Sequence, residues 1–258
     1  MKVNLGDIIP TSTLDWPGRV VMVIFLRGCP LRCPYCSNAR FMDAGEDDVA
    51  DLEKVKAEIL RASDFIDGVI FSGGEPFMQP AALKEAASYV KGLGLLVGVH
   101  TNGVYPDRLE SMAKAGLLDS VFLDAKAPLS LEHYNIAGGK IEECTVAAIK
   151  RSMALCCDLR RSDAIKFFEV RTTVFRGISD TPEDIRSIVS SIECCDVYVI
   201  QQGRPEVAMD ERLRKTDAVT RKELLDLAEA AAGCATGVKT VKVRTHTFGD
   251  EIIKNFTR

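Results

Sequence analysis

Apolar positions along the chain fall into two alternating rhythms. Val20 to Leu26 (VVMVIFL) is an unbroken apolar run. Side chains point to both faces of such a run, so it reads as a strand buried inside a parallel sheet. Val49 to Ala62 then places apolar residues at helical spacing, with Asp51 as a cap or first-turn acid. The order repeats. GVIFSGGEP (68–76) reads as a strand entering a glycine turn, 80–92 as a helix, LLVGVHTNG (95–103) as a strand and turn, and 106–115 as a helix. SVFLDAK (120–126) is the next strand, followed by a helix over Glu143 to Cys157 and a strand over Phe167 to Val174. Pro182 to Ser191 reads as a helix and Val197 to Gln201 as a sixth strand. A last helix, 221–232, precedes a strand at 239–245.

This alternation predicts an α/β fold whose parallel sheet grows by right-handed crossovers. Open doubly wound sheets and barrels both fit, while six units are too few for a full eight-fold barrel. Polar and glycine signals cluster just after strands, at Arg27 to Cys36, Ser72 to Pro76, Thr101 to Gly103 and Asp124 to Lys126. Parallel architectures build sites at the C-terminal ends of their strands, so these segments are expected to line one site.

Composition changes the picture little. The 258 residues are 47% hydrophobic and 27% charged, and 37 acidic against 33 basic residues leave a formal charge of −4. Basic residues are interspersed with acidic ones, which argues against nucleic-acid coating. The apolar run at Val20 to Leu26 is too short to span a membrane, and the N-terminus lacks a segment of signal length. A cytoplasmic protein with no nucleic-acid or membrane partner is expected.

The cysteines carry more information. Nine is odd, so they cannot all pair within the chain. Cys29, Cys33 and Cys36 sit together in GCPLRCPYC. Three soft sulfur ligands on one short loop suit zinc or an iron–sulfur cluster. Structural zinc wants a fourth protein ligand. No further cysteine pair or nearby histidine supplies one, since His100, His133 and His246 are distant in sequence. A [4Fe–4S] cube on three cysteines would keep one iron open for catalysis; a remote fourth ligand keeps zinc in play. Cys144, Cys156, Cys157, Cys194, Cys195 and Cys234 show no such spacing. They are expected as small buried hydrophobes, with a second cluster or a redox role as the alternative.

Cys29, Cys33 and Cys36 at CxxxCxxC spacing, with Tyr35 before the last cysteine, resemble the cluster motif of radical S-adenosylmethionine (SAM) enzymes. Ser72-Gly73-Gly74-Glu75-Pro76 is similar to that family's GGEP motif. The resemblance runs from about Thr11 to Gln202. It implies a partial, TIM-like (β/α)6 barrel with an N-terminal segment and a short C-terminal helix–strand extension. The chain would be one domain (1–258), with its core over 18–203 and the extension over 204–258. It also implies one three-cysteine [4Fe–4S] cluster and SAM as cofactors. The open iron would chelate the amino and carboxylate groups of SAM. Reductive cleavage would give methionine and a 5′-deoxyadenosyl radical that abstracts hydrogen from substrate.

The resemblance distributes roles by position. Cys29, Cys33 and Cys36 would hold the cluster and Tyr35 would sit at the cofactor. Gly73 and Gly74 would let the backbone approach the methionine amino group, and Glu75 would orient that loop. Asp124 and Lys126 resemble a DxK pair that contacts SAM, and Asn102 lies in a TNG turn like the family's. Arg171 is divided between cofactor contact and a structural ion pair.

Ser12, Asp15, Pro17, Gly18 and Arg19 resemble the segment before the first strand in glycyl-radical-enzyme activases. With Trp16, DWPGR is similar to the anaerobic ribonucleoside-triphosphate reductase activating proteins. That implies a glycyl-radical enzyme as protein substrate and a flavodoxin or ferredoxin-type electron donor. The ending RTHTFGDEIIKNFTR lacks the glycine-loop pattern of a glycyl-radical enzyme itself. YVIQQG departs from the histidine-containing pattern of pyruvate formate-lyase activase, and nothing after Gly203 gives a readable motif. Small-molecule chemistry, as in 7-carboxy-7-deazaguanine synthases, or modification of another peptide remains open, and a non-enzymatic iron–sulfur protein is the third class.

Overall fold

The computed structural model describes residues 1–45 and 49–256. Its strands are β1 (Lys2–Ser12), β2 (Val21–Leu26), β3 (Val49–Asp51), β4 (Gly68–Gly73), β5 (Leu96–Thr101), β6 (Ser120–Asp124), β7 (Phe167–Val174), β8 (Cys195–Gln202), β9 (Val238–Thr245) and β10 (Gly249–Asn255). Its helices are α1 (Leu52–Ala62), α2 (Pro80–Gly92), α3 (Pro106–Lys114), α4 (Leu131–Gly138), α5 (Glu143–Arg161), α6 (Pro182–Ser190), α7 (Glu211–Arg214) and α8 (Arg221–Cys234). All strands join one sheet in the order β10-β9-β8-β7-β6-β5-β4-β2-β1-β3. From β2 to β9 every pairing is parallel. β1, β3 and β10 add antiparallel edges.

The expected α/β partial barrel is present, with differences that have local causes. The C-terminal helix–strand extension continues the sheet. β9 pairs parallel with β8, Cys195 opposite Val238 through Gln201 opposite Arg244, so it is a further unit of the same sheet. The helix expected from Val49 starts at Leu52, because Val49–Asp51 pairs with β1. Asp51 is its N-cap and accepts a hydrogen bond from Glu53 N at 3.3 Å. β1, β10, α4 and α7 were not expected; β1 and β10 keep much of one face exposed and lack a long apolar run.

The helices cover the outer face in one large apolar layer. α2, for example, buries Ala82, Leu83, Ala86, Ala87 and Val90 against it. The inner face packs separately around Trp16, with Val21, Val23, Ile70 and Phe122. The Trp16 ring meets Phe122 edge-on at 5.8 Å. Gly98 makes room for it, since a Cβ there would lie 2.9 Å from the indole. Trp16 thus fills the lower interior and leaves the C-terminal ends of the strands free for a site. Among the described residues no helix is long and apolar enough to cross a membrane.

Candidate active site

The loop after β2 is held in place largely by backbone hydrogen bonds. Gly28 N donates to Phe41 O at 2.8 Å and Cys29 N to Met42 O at 2.9 Å, closing the loop on itself. From outside, Arg32 N donates to Gly138 O at the end of α4, and Asp210 N, at the start of α7, donates to Pro34 O, each at 2.8 Å. Two elements that the sequence did not announce therefore clamp the cysteine loop.

The GGEP turn is equally constrained. Gly73 has φ +121°, and a Cβ there would sit 2.2 Å from Leu26 O. A Cβ on Gly74 would sit 2.3 Å from Gly28 O. Only glycine lets this turn pass so close to the cysteine loop. Glu75 is fully buried and accepts hydrogen bonds from Phe77 N (3.1 Å), Thr101 Oγ1 (3.0 and 3.1 Å) and Asn102 N (2.8 Å). It ties the turn after β4 to the turn after β5. Burial pushes its carboxyl up to about 7, against the pull of the Asn102 and Phe77 N–H groups and the Thr101 hydroxyl.

These loops and the strand ends enclose a cavity of about 490 Å³. Cys29, Cys33, Cys36, Tyr35, Gly73, Gly74, Asn102, Asp124, Lys126 and Arg171 all line it. Glu75 does not; it stands behind the wall as a brace. A larger hollow, about 680 Å³, lies on the outer helical layer between α4, α5 and α6, away from the strand ends.

Local chemistry within the cavity is specific. Asn102 Nδ2 donates to Cys29 Sγ at 3.6 Å, and Lys126 Nζ meets Asp124 Oδ2 at 3.0 Å. For Lys126, burial acts downward, but Asp124 and the neighbouring Cys33 and Tyr35 outweigh it and hold the ammonium well above its usual range. Burial pushes the Cys29 thiol up to about 12, offset in part by the Leu31 N–H, and it also raises Cys33 and Cys36. Bare thiols here are neutral, and a bound cation would reverse that by deprotonating them. Tyr35 stacks on Phe175 at 5.1 Å with its hydroxyl buried and, among the described residues, without a hydrogen-bond partner. Among the described residues, no group of three or more His, Cys, Asp or Glu side chains stands ready-made as a metal site.

Arg171 makes a structural ion pair at the cavity wall. It lines the cavity, and its Nε pairs with the fully buried Glu169. The guanidinium also sits 4.6 Å from the Phe122 ring centre and 3.3 Å from His100 Nε2. Burial and Arg171 together hold the His100 imidazole well below its usual range, so it is neutral.

The sequence reading missed the opposite wall. Gln201 and Gln202 at the end of β8, Arg244 on β9, and His246 and Arg204 just beyond these strands all line the same cavity. Their signal was position alone, since each lies at or just past a strand's C-terminal end.

A family model for the radical SAM superfamily matches residues 23–190. The chain belongs to that superfamily. As a radical SAM enzyme it cleaves SAM and generates a radical, and the family's usual cofactors are an iron–sulfur cluster and SAM. It is similar to a Methanocaldococcus jannaschii protein provisionally named a glycyl-radical enzyme activating enzyme, 34% identical over 239 residues, covering 90% of this chain and 92% of that one. It is also similar to the pyruvate formate-lyase-activating enzyme of Clostridium pasteurianum, 28% identical over 234 residues, covering 85% and 93%. Among solved structures, TYW1 with a lysine–pyruvate adduct bound superposes with a TM-score of 0.62 at 17% identity, over 92% of this chain and 80% of that one. That last likeness speaks for the fold.

Proposed function

We propose that this radical SAM enzyme abstracts the α-hydrogen of a glycine in a partner glycyl-radical enzyme, such as an anaerobic ribonucleoside-triphosphate reductase. The similarity to a protein named as a glycyl-radical enzyme activating enzyme, over nine-tenths of both chains, carries the reading. The DWPGR segment supports the subgroup, and Trp16 of that segment packs the barrel interior beneath the cavity.

The residues present fit the cofactors. Cys29, Cys33 and Cys36 offer three soft thiolates on one cavity wall, the donor set of a [4Fe–4S] cluster with one iron left to SAM. Bound together, the cluster and SAM supply a 5′-deoxyadenosyl radical. Gly73 and Gly74 present bare backbone where a side chain would block the approach. Lys126 carries a largely buried positive charge suited to the carboxylate of SAM, and Asp124 orients it. Asn102 steadies Cys29 through its sulfur, and Arg171 lines the opposite wall of the cavity. Tyr35 presents an aromatic wall beside the cluster loop. A flavodoxin or ferredoxin-type protein supplies the electron.

The test is anaerobic. Reconstituted enzyme is reduced with SAM and an anaerobic reductase carrying a C-terminal glycine loop. A backbone glycyl signal in electron paramagnetic resonance, with 5′-deoxyadenosine released in proportion, is the expected result. Cofactor cleavage without a glycyl signal would move the assignment to a small-molecule or other peptide substrate.

A further inference from the structure

Six cysteines lie outside the cluster loop, and two of them meet across the fold. Cys157 is on α5, about one turn before its end, and Cys194 is in the turn that enters β8. Cys194 Sγ donates to Cys157 O at 3.7 Å, which sets the two residues against each other. The surroundings fix both partners. Arg161 Nη2 donates to Glu193 O at 3.5 Å on one side, and Arg160 Nε pairs with Asp196 Oδ2 at 2.6 Å on the other. Cys195, next to Cys194, is locked to β9 by its N–H to Gly237 O at 2.9 Å.

The other cysteines show what is particular to this pair. Cys156 and Cys195 are buried in the outer apolar core. Cys234 donates back to Ala230 O and Ala231 O of its own helix. Cys144 is exposed and donates to Glu142. Cys194 is partly exposed, whereas Cys157 is 1% exposed.

We propose that Cys157 and Cys194, held side by side between the last turn of α5 and the start of β8, form a peroxide-responsive pair that closes to a disulfide. Cys194 reacts first because solvent reaches it. Its thiolate attacks one peroxide oxygen; an S–O bond forms, the O–O bond breaks, and the departing hydroxide takes up a proton as water. Cys157 then displaces the sulfenic oxygen. The S–S bond forms, the S–O bond breaks, and the hydroxide leaves as water with the Cys157 proton. Two thiols lose two electrons in total and one hydrogen peroxide becomes two waters. Burial pushes the Cys157 thiol up to about 12, which suits a resolving sulfur better than an attacking one. The pair is at the N-terminal end of β8, while Gln201 and Gln202 at the other end line the cavity.

The test maps thiols in the cluster-loaded protein. The protein is treated with hydrogen peroxide, quenched by alkylation, digested and sequenced by tandem mass spectrometry without reductant. The expected result is a cross-linked peptide joining Cys157 to Cys194, which grows with peroxide and disappears on adding a thiol reductant. In Cys157→Ser the cross-link is lost, and Cys194 becomes trappable by dimedone as a sulfenic acid. Recovery of both residues as alkylated thiols after peroxide would overturn the proposal. So would their bonding to any other cysteine, including neighbours in the two Cys-Cys pairs. Both of these outcomes are read on the unmodified chain, so a poorly folding variant does not blunt the test.

Discussion

The cavity has two walls built on different principles. The first comes from the cysteine loop and the turns after β4, β5 and β6. It is made of backbone: glycines at close approach, carbonyl-to-amide clamps, and a buried Glu75 that stitches two turns together. The second comes from the ends of β7, β8 and β9. It is made of side chains: Arg171 and Arg244 share the buried Glu169, Arg244 also pairs with Asp250, and Gln202 holds the turn beyond β9. A backbone wall demands particular residues at fixed spacing. A side-chain wall can be assembled from many combinations on separate strands. Substitutions should therefore break the first wall as structure and perturb the second one residue at a time.

The largest effects belong to the first wall. Cys29→Ala, Cys33→Ala or Cys36→Ala should abolish stable cluster assembly and 5′-deoxyadenosine release, read by iron content and product analysis. Gly73→Ala forces a Cβ against Leu26 O and N at 2.2 and 2.5 Å with φ at +121°. It should cost roughly 3 kcal/mol or more of fold stability, measured as a lower urea midpoint. A mild effect there would mean that the turn is not backbone-limited.

Glu75 gives the same wall a pH signature. Its folded value of about 7 stands above the ordinary 4.5. The stabilisation that comes with its proton is complete below the unfolded value and is lost as pH rises through about 7. Between these limits it is worth roughly 3 kcal/mol. Glu75→Gln should remove this component, so the variant's urea midpoint falls less between pH 5 and pH 8 than the parent's. Parallel pH profiles for the two proteins would contradict it. Lys126→Ala should act on the ligand instead. Losing one charge-assisted hydrogen bond, about 1.5–3 kcal/mol, weakens SAM binding by tenfold or more while iron content holds. Unchanged SAM affinity in a titration would take Lys126 out of the site.

The two walls also explain what could be read from the sequence. Gly73-Gly74 and the cysteine triplet were legible because their conformations tolerate few other residues. β2 and β4 to β6 were legible because they are buried on both faces. β1 was not, since Gly6, Asp7 and Pro10 interrupt it and one edge of the sheet lets it stay half exposed. α4 was not, although its Tyr134 hydroxyl accepts the Lys126 N–H and its end holds the cysteine loop. Glu169 could not be found by motif at all. A carboxylate at zero exposure between two arginines is a property of strand register, with Glu169 two residues below Arg171 on the same face.

The finest test of the comparison uses two adjacent glutamines on the second wall. Gln202 Nε2 donates to Val219 O at 2.8 Å and its Oε1 accepts from His246 N at 3.1 Å, joining β8 to the turns on either side of α8 and β9. Gln201 lines the cavity and, among the described residues, makes no side-chain hydrogen bond. Gln202→Ala leaves Val219 O and His246 N without that partner and should cost about 1 kcal/mol. Gln201→Ala should stay within about 0.5 kcal/mol of the parent. Chemical denaturation of the two variants side by side measures the difference. Equal losses would show the second wall to be as cooperative as the first. The expected inequality would show that its free polar groups face the cavity rather than the fold, where a substrate can use them.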